Sequence, residues 1–205
     1  MQAINLTGLR QRTAAFEDIP GFFRWDEGCA AYHLAAAGPG LGCIVEIGSY
    51  RGRSTAYLAA GSAAAGRPGV VAVDHFRGSR EHQKGQMNED PDAAAGRSFR
   101  AGFEAMMALH GIDAIIAEGD FGEIAKRWAR APRPIRLLLL DADHRFEETK
   151  RAYDAWAPSV EPGGIIAFHG YGAQIHDGIK AFVDSIRVGP EIGRVHTLIA
   201  FAKEA

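Results

Sequence analysis

A chain of 205 residues with 47% hydrophobic and 23% charged side chains can fill one core, is too short for two ordinary domains, and has the balance of a globular protein. A formal net charge of −2 and no run of Lys and Arg offer nothing to a phosphate backbone, so no nucleic-acid partner is expected. Cys29 and Cys43 stand in neither paired nor metal-type spacing, and the charged start MQAINLTGLRQRTAAFEDIP and lack of a membrane-length apolar run lead to an expected cytoplasmic protein without a membrane partner.

In chain order, residues 1–40 read as a short helical extension, followed by apolar runs alternating with helical patterns, the form of a parallel sheet covered on both faces. The expected strands are CIVEI, VVAVD, AIIAE, 135–141 and 164–169, the fourth apolar enough to be central. Between them, 54–65 is Ala-rich and helical, and Phe99, Phe103, Met106, Met107 and His110 share one helical face. Phe146, Tyr153 and Trp156 share another, read as core. Pro158 stops that helix before a turn at Glu161-Pro162-Gly163-Gly164. Residues 177–187 look helical, and RVHTLIAFAKE forms one or two last strands. The polar stretch 77–96 is long for a connection within the single domain 1–205 and is either a disordered insertion or a lid over a site.

The first strand runs through VEIGSYRGRST into a helix, a join at which Gly48 and Gly52 leave room for a bound molecule. A nicotinamide fingerprint requires glycines at positions occupied by Tyr50 and Arg53, and a P-loop requires four residues between its glycines and a following Lys. Both fail here. S-adenosylmethionine carries no phosphate but a carboxylate, an ammonium, a sulfonium and a ribose diol. Glu46 suits its cationic part. The segment containing Gly48, Ser49, Tyr50, Gly52, Ser54 and Thr55 offers helix-start N–H groups to its carboxylate. Asp74, with His75 beside it, ends the next strand and has two oxygens for two ribose hydroxyls. The plainer alternative is that Glu46 and Asp74 only close off their strands.

These residues resemble the class I methyltransferases, and more narrowly a bacterial family with a VEIGSYRGRST-type first motif, a DHF after strand two and a DADH after strand four. The likeness runs from DEGCAAYHLAAA through VVAVDHFRGS, IIAEGD and LLLLDADHRFEETKRAYDAWAPSVEPGGIIAFHGY. The family includes proteins similar to the cephalosporin 7α-methoxylation methyltransferase and is a cousin of the catechol O-methyltransferase group. The resemblance implies a Rossmann-like, doubly wound α/β fold: a seven-stranded, mostly parallel sheet with helices on both faces and one antiparallel strand. It also implies that the cofactor lies over the ends of strands one to four, with Gly119 and Asp120 beside the adenine. Relatives commonly have His-Asp where this chain has His169-Gly170, and that acid, with one matching Asp141, helps metal-using members hold a divalent cation.

Parallel strands would deliver Asp74, His75, residues 141–144 and His169 to one edge, with His176 and Asp177 shortly after. An acceptor hydroxyl benefits from a base, and a neutral imidazole suits that work near neutral pH. His144 is the first candidate and His169 the second, beside Asp141. Against this, His144 could simply hold the loop while Asp143 caps the helix starting near Arg145. No metal is expected, because position 170 offers no oxygen. His33, His110 and His196 read as partly buried or surface histidines. The expected function is transfer of a methyl group from S-adenosylmethionine to a small-molecule acceptor, most naturally an oxygen of a sugar or secondary metabolite. A homo-oligomer is left open. The alternatives are a partner protein that keeps cofactor and fold without turnover, and a nucleotide- or nicotinamide-binding α/β protein.

Overall fold

The computed structural model describes residues 6–173 and 177–204; His176, named above, lies outside them. Seven strands, β1 (Cys43–Ile47), β2 (Val70–Asp74), β3 (Ala114–Glu118), β4 (Ile135–Leu140), β5 (Val160–Phe168), β6 (Glu191–Val195) and β7 (Leu198–Ala202), form one sheet in the order β3-β2-β1-β4-β5-β7-β6. β1 to β5 are parallel, and β7 opposes both of its neighbours. Six strands therefore share a direction and one runs against them. β4 occupies the middle and is buried along its whole length, as its unbroken apolar run requires.

Strand alternation divides the core in two. Ile44, Ala72, Leu137, Leu139 and Ala167 pack on the face covered by α1 (Leu6–Thr13), α2 (Trp25–Ala37), α3 (Arg53–Ala64) and α5 (Arg100–Leu109). Val45, Val73, Leu138, Leu140 and Phe168 face α6 (Phe121–Trp128), α7 (Phe146–Trp156) and α8 (Asp177–Ser185). The period of two sends neighbouring residues to opposite layers, so a helix layer covers each face. Strand order reverses between β1 and β4, and the crevice beyond their carboxyl ends is where such sheets receive ligands.

Two expectations need correction. The 161–164 stretch is an irregular start of β5 rather than a separate turn, with Gly163 at φ +75° and a register shift opposite Ile135 and Leu137. Gly163 N–H donates to Lys203 and Lys203 N–H to Gly164, so the tail provides the backbone partners that a strand needs. Residues 77–96 are not structureless either. They carry a 3-10 turn at Arg80–His82 and the one-turn helix α4 (Pro91–Ala94), whose first turn is capped by Asp90 accepting from Asp92 and Ala93 N–H.

Candidate active site

The crevice opens into a cavity of about 560 Å³, within the range that encloses a cofactor-sized ligand. Its floor is the strand ends: Gly48 and Ser49 after β1, Asp74 and His75 after β2, Gly119 and Asp120 after β3, Asp141 and His144 after β4, and His169 after β5. Tyr50 and Ser54 also line it, whereas Glu46, Gly52 and Thr55 do not. Most of the expected site residues thus meet in one hollow.

The glycines also meet demands internal to the protein. A Cβ on Gly48 would lie 2.3 Å from the Asp141 carbonyl oxygen, and one on Gly52 2.5 Å from Met107 Cε. Both positions have positive φ, +88° and +100°. The protein's own packing and a left-handed backbone demand glycine there, whatever is bound. Tyr50, between them, also has positive φ, 48°, an uncommon conformation for a residue with a side chain.

Asp74 holds this loop in shape. Its Oδ2 accepts the Tyr50 N–H at 2.8 Å and its Oδ1 the Phe76 N–H at 2.7 Å. Each oxygen keeps a lone pair for a further donor. Burial raises its carboxyl pKa, against those hydrogen bonds. Glu46 lies one layer below, fully buried, accepting from the Thr55 hydroxyl at 2.5 Å. Burial pushes its carboxyl up to about 7, with the Ser54, Thr55 and Ser49 hydroxyls opposing. It does not line the cavity, and its hydrogen bond with Thr55 supports the loop from below.

A row of alternating charge crosses the cavity wall. Glu27 Oε2 stands 3.4 Å from His169 Nε2, His169 Nδ1 2.9 Å from Asp141 Oδ1, Asp141 Oδ1 3.5 Å from His144 Nε2, and His144 Nδ1 2.9 Å from Glu81 Oε1. Burial alone would lower both imidazole pKa values, but the flanking carboxylates outweigh it, giving about 9 for His144 and about 10 for His169. The same pairing overcomes burial to hold Asp141 and Glu27 down at about 2. Each ring lies between two anions, which favours its protonated form, so either histidine must lose that proton before it can act as a base. His169 is also buried, with its ring 4.3 Å from that of Phe23. It joins α2 to the ends of β4 and β5.

A model of the methyltransferase domain family matches residues 45–171, more than half of the chain. The chain belongs to that family. This methyltransferase is also similar in fold to solved structures of low identity. The calicheamicin methyltransferase CalS11 is 18% identical at a TM-score of 0.63, with 98% of this chain and 94% of that one covered. The O-methyltransferase NovP is 18% identical at 0.61, with 98% and 81% covered. An rRNA methylase from Streptococcus thermophilus is 17% identical at 0.56, with 91% and 100% covered. At such identities the likeness speaks for the fold, which carries very different acceptors.

Several groups in the methyltransferase's site were not among the expected residues. Glu27 accepts the Arg24 N–H, and its other oxygen takes the Thr197 N–H and hydroxyl; an acid beside Asp26 at the start of the Ala-rich WDEGCAAYHLAAA helix reads from sequence only as a helix-start residue. Arg53 of the glycine motif donates to the carbonyls of Glu17, Ile19 and Phe23, fixing the N-terminal wall that carries Phe22. Asp90 is 2% exposed and accepts from Tyr50 Oη at 2.7 Å and from Arg51 Nε and Nη2 at 2.8 and 2.9 Å. No periodicity marks such partners, 39 and 40 positions apart.

Among the described residues, no group of three His, Cys, Asp or Glu side chains has an arrangement suited to a metal ion, and no helix is long and apolar enough to cross a membrane. Gly170 has φ +89°, and a Cβ there would lie 2.8 Å from Ile179 Cδ1 and 3.1 Å from His144 Cδ2. An acidic side chain at that position would be strained and crowded.

Proposed function

We propose that this methyltransferase uses S-adenosylmethionine to methylate a hydroxyl oxygen of a small molecule, a sugar or another secondary metabolite. The observation that carries the reading is Asp74. Its carboxylate lies at the end of β2, on the cavity wall, held by the glycine loop's own N–H and with an acceptor site left on each oxygen. That is the chemistry a ribose diol requires. Ser49, buried on the cavity wall, adds a polar group at the same loop. CalS11 and NovP, described as a calicheamicin methyltransferase and an O-methyltransferase, support the choice of acceptor.

When bound, the cofactor supplies a methyl carbon on a sulfonium that leaves readily, so the protein's work is positioning and removal of the acceptor's proton. His144 is the proposed acceptor of that proton, and it must first lose its own. Asp141 and Glu81 orient its ring, while His169 fixes Asp141 from the other side. A divalent cation does not fit this arrangement. The Asp141 oxygen is shared by two imidazoles, and position 170 has no room for an acid.

Calorimetry with S-adenosylmethionine and S-adenosylhomocysteine, beside NAD and ATP as controls, tests the cofactor before an acceptor is known. Binding confined to the first two is expected. Asp74→Asn should weaken it by about 1.5–3 kcal/mol, the scale of hydrogen bonds to a charged group. Wild-type affinity in a folded Asp74→Asn variant would remove Asp74 from the ribose role.

A further inference from the structure

The 77–96 segment reaches two separate parts of the site. At one end, Glu81 holds His144 Nδ1 at 2.9 Å. At the other, Asp90 receives the Tyr50 hydroxyl and a two-toothed guanidinium from Arg51, whose Nη2 also reaches Asp92 Oδ2 at 2.8 Å. Between them, the His82 ring stacks on Tyr50 at 4.8 Å with an interplanar angle of 8°. The aligned rings and the buried fork make this a specific junction rather than a passing loop contact.

Tyr50 is the pivot of that junction. A left-handed backbone at a tyrosine is intrinsically unfavourable and persists only when its surroundings over-determine it. Two of the contacts that hold it come from this segment: Asp90 on its hydroxyl and His82 on its ring face. The same residue's N–H reaches Asp74 Oδ2 at 2.8 Å. A displacement of Asp90 is therefore relayed through two bonds to the carboxylate proposed to take the ribose.

We propose that residues 77–96 are a coupling strap in which Asp90 positions the cofactor loop through Tyr50 and Glu81 positions His144, so that cofactor occupancy and order at the acceptor wall rise together. The inference rests on the S-adenosylmethionine reading and adds a direction to it. Binding at the loop should tighten the strap, and by linkage a loosened strap must weaken binding at the loop. Asp90 acts through Tyr50 and is a positioning residue, with no contact to the reacting atoms.

The test uses the full chain, with S-adenosylhomocysteine as probe, and measures calorimetric affinity and hydrogen exchange over residues 77–96. Asp90→Asn keeps the side-chain oxygen that caps α4 while removing the charge that Arg51 grips. Tyr50→Phe keeps the ring and removes only the hydroxyl. In the wild type, saturating probe should slow exchange in the strap about 10-fold or more. Asp90→Asn should weaken binding about 10-fold and lose most of that protection at saturating probe, and Tyr50→Phe should do the same to a smaller extent. Should Asp90→Asn misfold, Tyr50→Phe decides alone. Wild-type binding with no protection of the strap, or with unchanged affinity in a folded variant, overturns the coupling and leaves the cofactor reading standing. No binding by the wild type overturns both.

Discussion

At the level of single residues, the two histidines at the sheet edge have different work. His169 lies between Glu27 and Asp141 with both nitrogens engaged, leaving it no room to accept a substrate proton. Its raised pKa contributes stability that is fully present below the ordinary 6.5 and lost as pH rises through about 10. The depressed Glu27 and Asp141 contribute stability above their ordinary 4.5 and 3.8 that is lost as pH falls through about 2. Removing the ring with His169→Ala leaves two buried carboxylates facing each other, a loss of about 3–5 kcal/mol. The carboxyl pKa values then rise, so the variant's thermal midpoint should recover partly between pH 7 and 5; no such recovery would mean the row is not an ionic pairing. His144, held near 9 by Asp141 and Glu81 against burial, predicts a different profile for turnover. Once an acceptor is in hand, the rate should climb roughly tenfold per pH unit below about 9 and level off above it. It should persist in excess EDTA and fall by about 10²–10⁴-fold in His144→Ala. A rate that is flat between pH 6 and 8 would move the proton to another group.

At the level of elements, the strongest prediction concerns the contrast between centre and edge. Leu138 of β4 is fully buried, whereas Ile192 of the edge strand β6 is 48% exposed. Leu138→Ala should cost about 2–5 kcal/mol and Ile192→Ala under about 1 kcal/mol, measured by denaturant unfolding. The same contrast explains what was legible in the sequence. β1, β2 and β4 declare themselves as short β-branched and Leu-rich runs because strands inside the sheet are buried along nearly their whole length, and the edge strand β3 is marked by its Ile115-Ile116 pair although Ile115 is 55% exposed. The start of β5 does not, since Gly163, at φ +75°, and Gly164 are held in the strand by backbone bonds to Lys203, a partner in the tail. For the site, the strand-end positions Asp74, Asp141 and His169 follow from counting residues to the ends of parallel strands. Glu27, Glu81 and Asp90 do not. They come from helices and loops whose side chains meet the sheet edge only after the chain is packed, and no local spacing records that meeting. The glycines at 48 and 52 are singled out for ligand clearance, and the structure adds a second demand on them, from packing and positive φ, that no motif spacing records.

For the whole molecule, the cavity is enclosed by parts of the chain far apart in sequence, and the N-terminal wall depends on one side chain. Arg53 donates to the carbonyls of Glu17, Ile19 and Phe23 at 2.7–3.0 Å. Arg53→Met should raise hydrogen exchange over residues 17–24 by about 10-fold or more while leaving β1 to β5 protected. Unchanged exchange there would assign the wall's order to apolar packing instead. The manner of the anchorage matters beyond its strength. The guanidinium's hydrogen bonds go to main-chain oxygens, which every residue type possesses, with the Glu17 carboxylate 4.0 Å away, so the side chains of Ile19 and Phe23 are set by the core they fill rather than by the tether. Phe22, 48% exposed and facing the cavity, sits inside that tether without being part of it. Its ring also lies 5.5 Å from those of Tyr50 and His82, so a substitution at Phe22 is felt at the cofactor loop, and reshaping this side of the cavity is not separable from holding that loop.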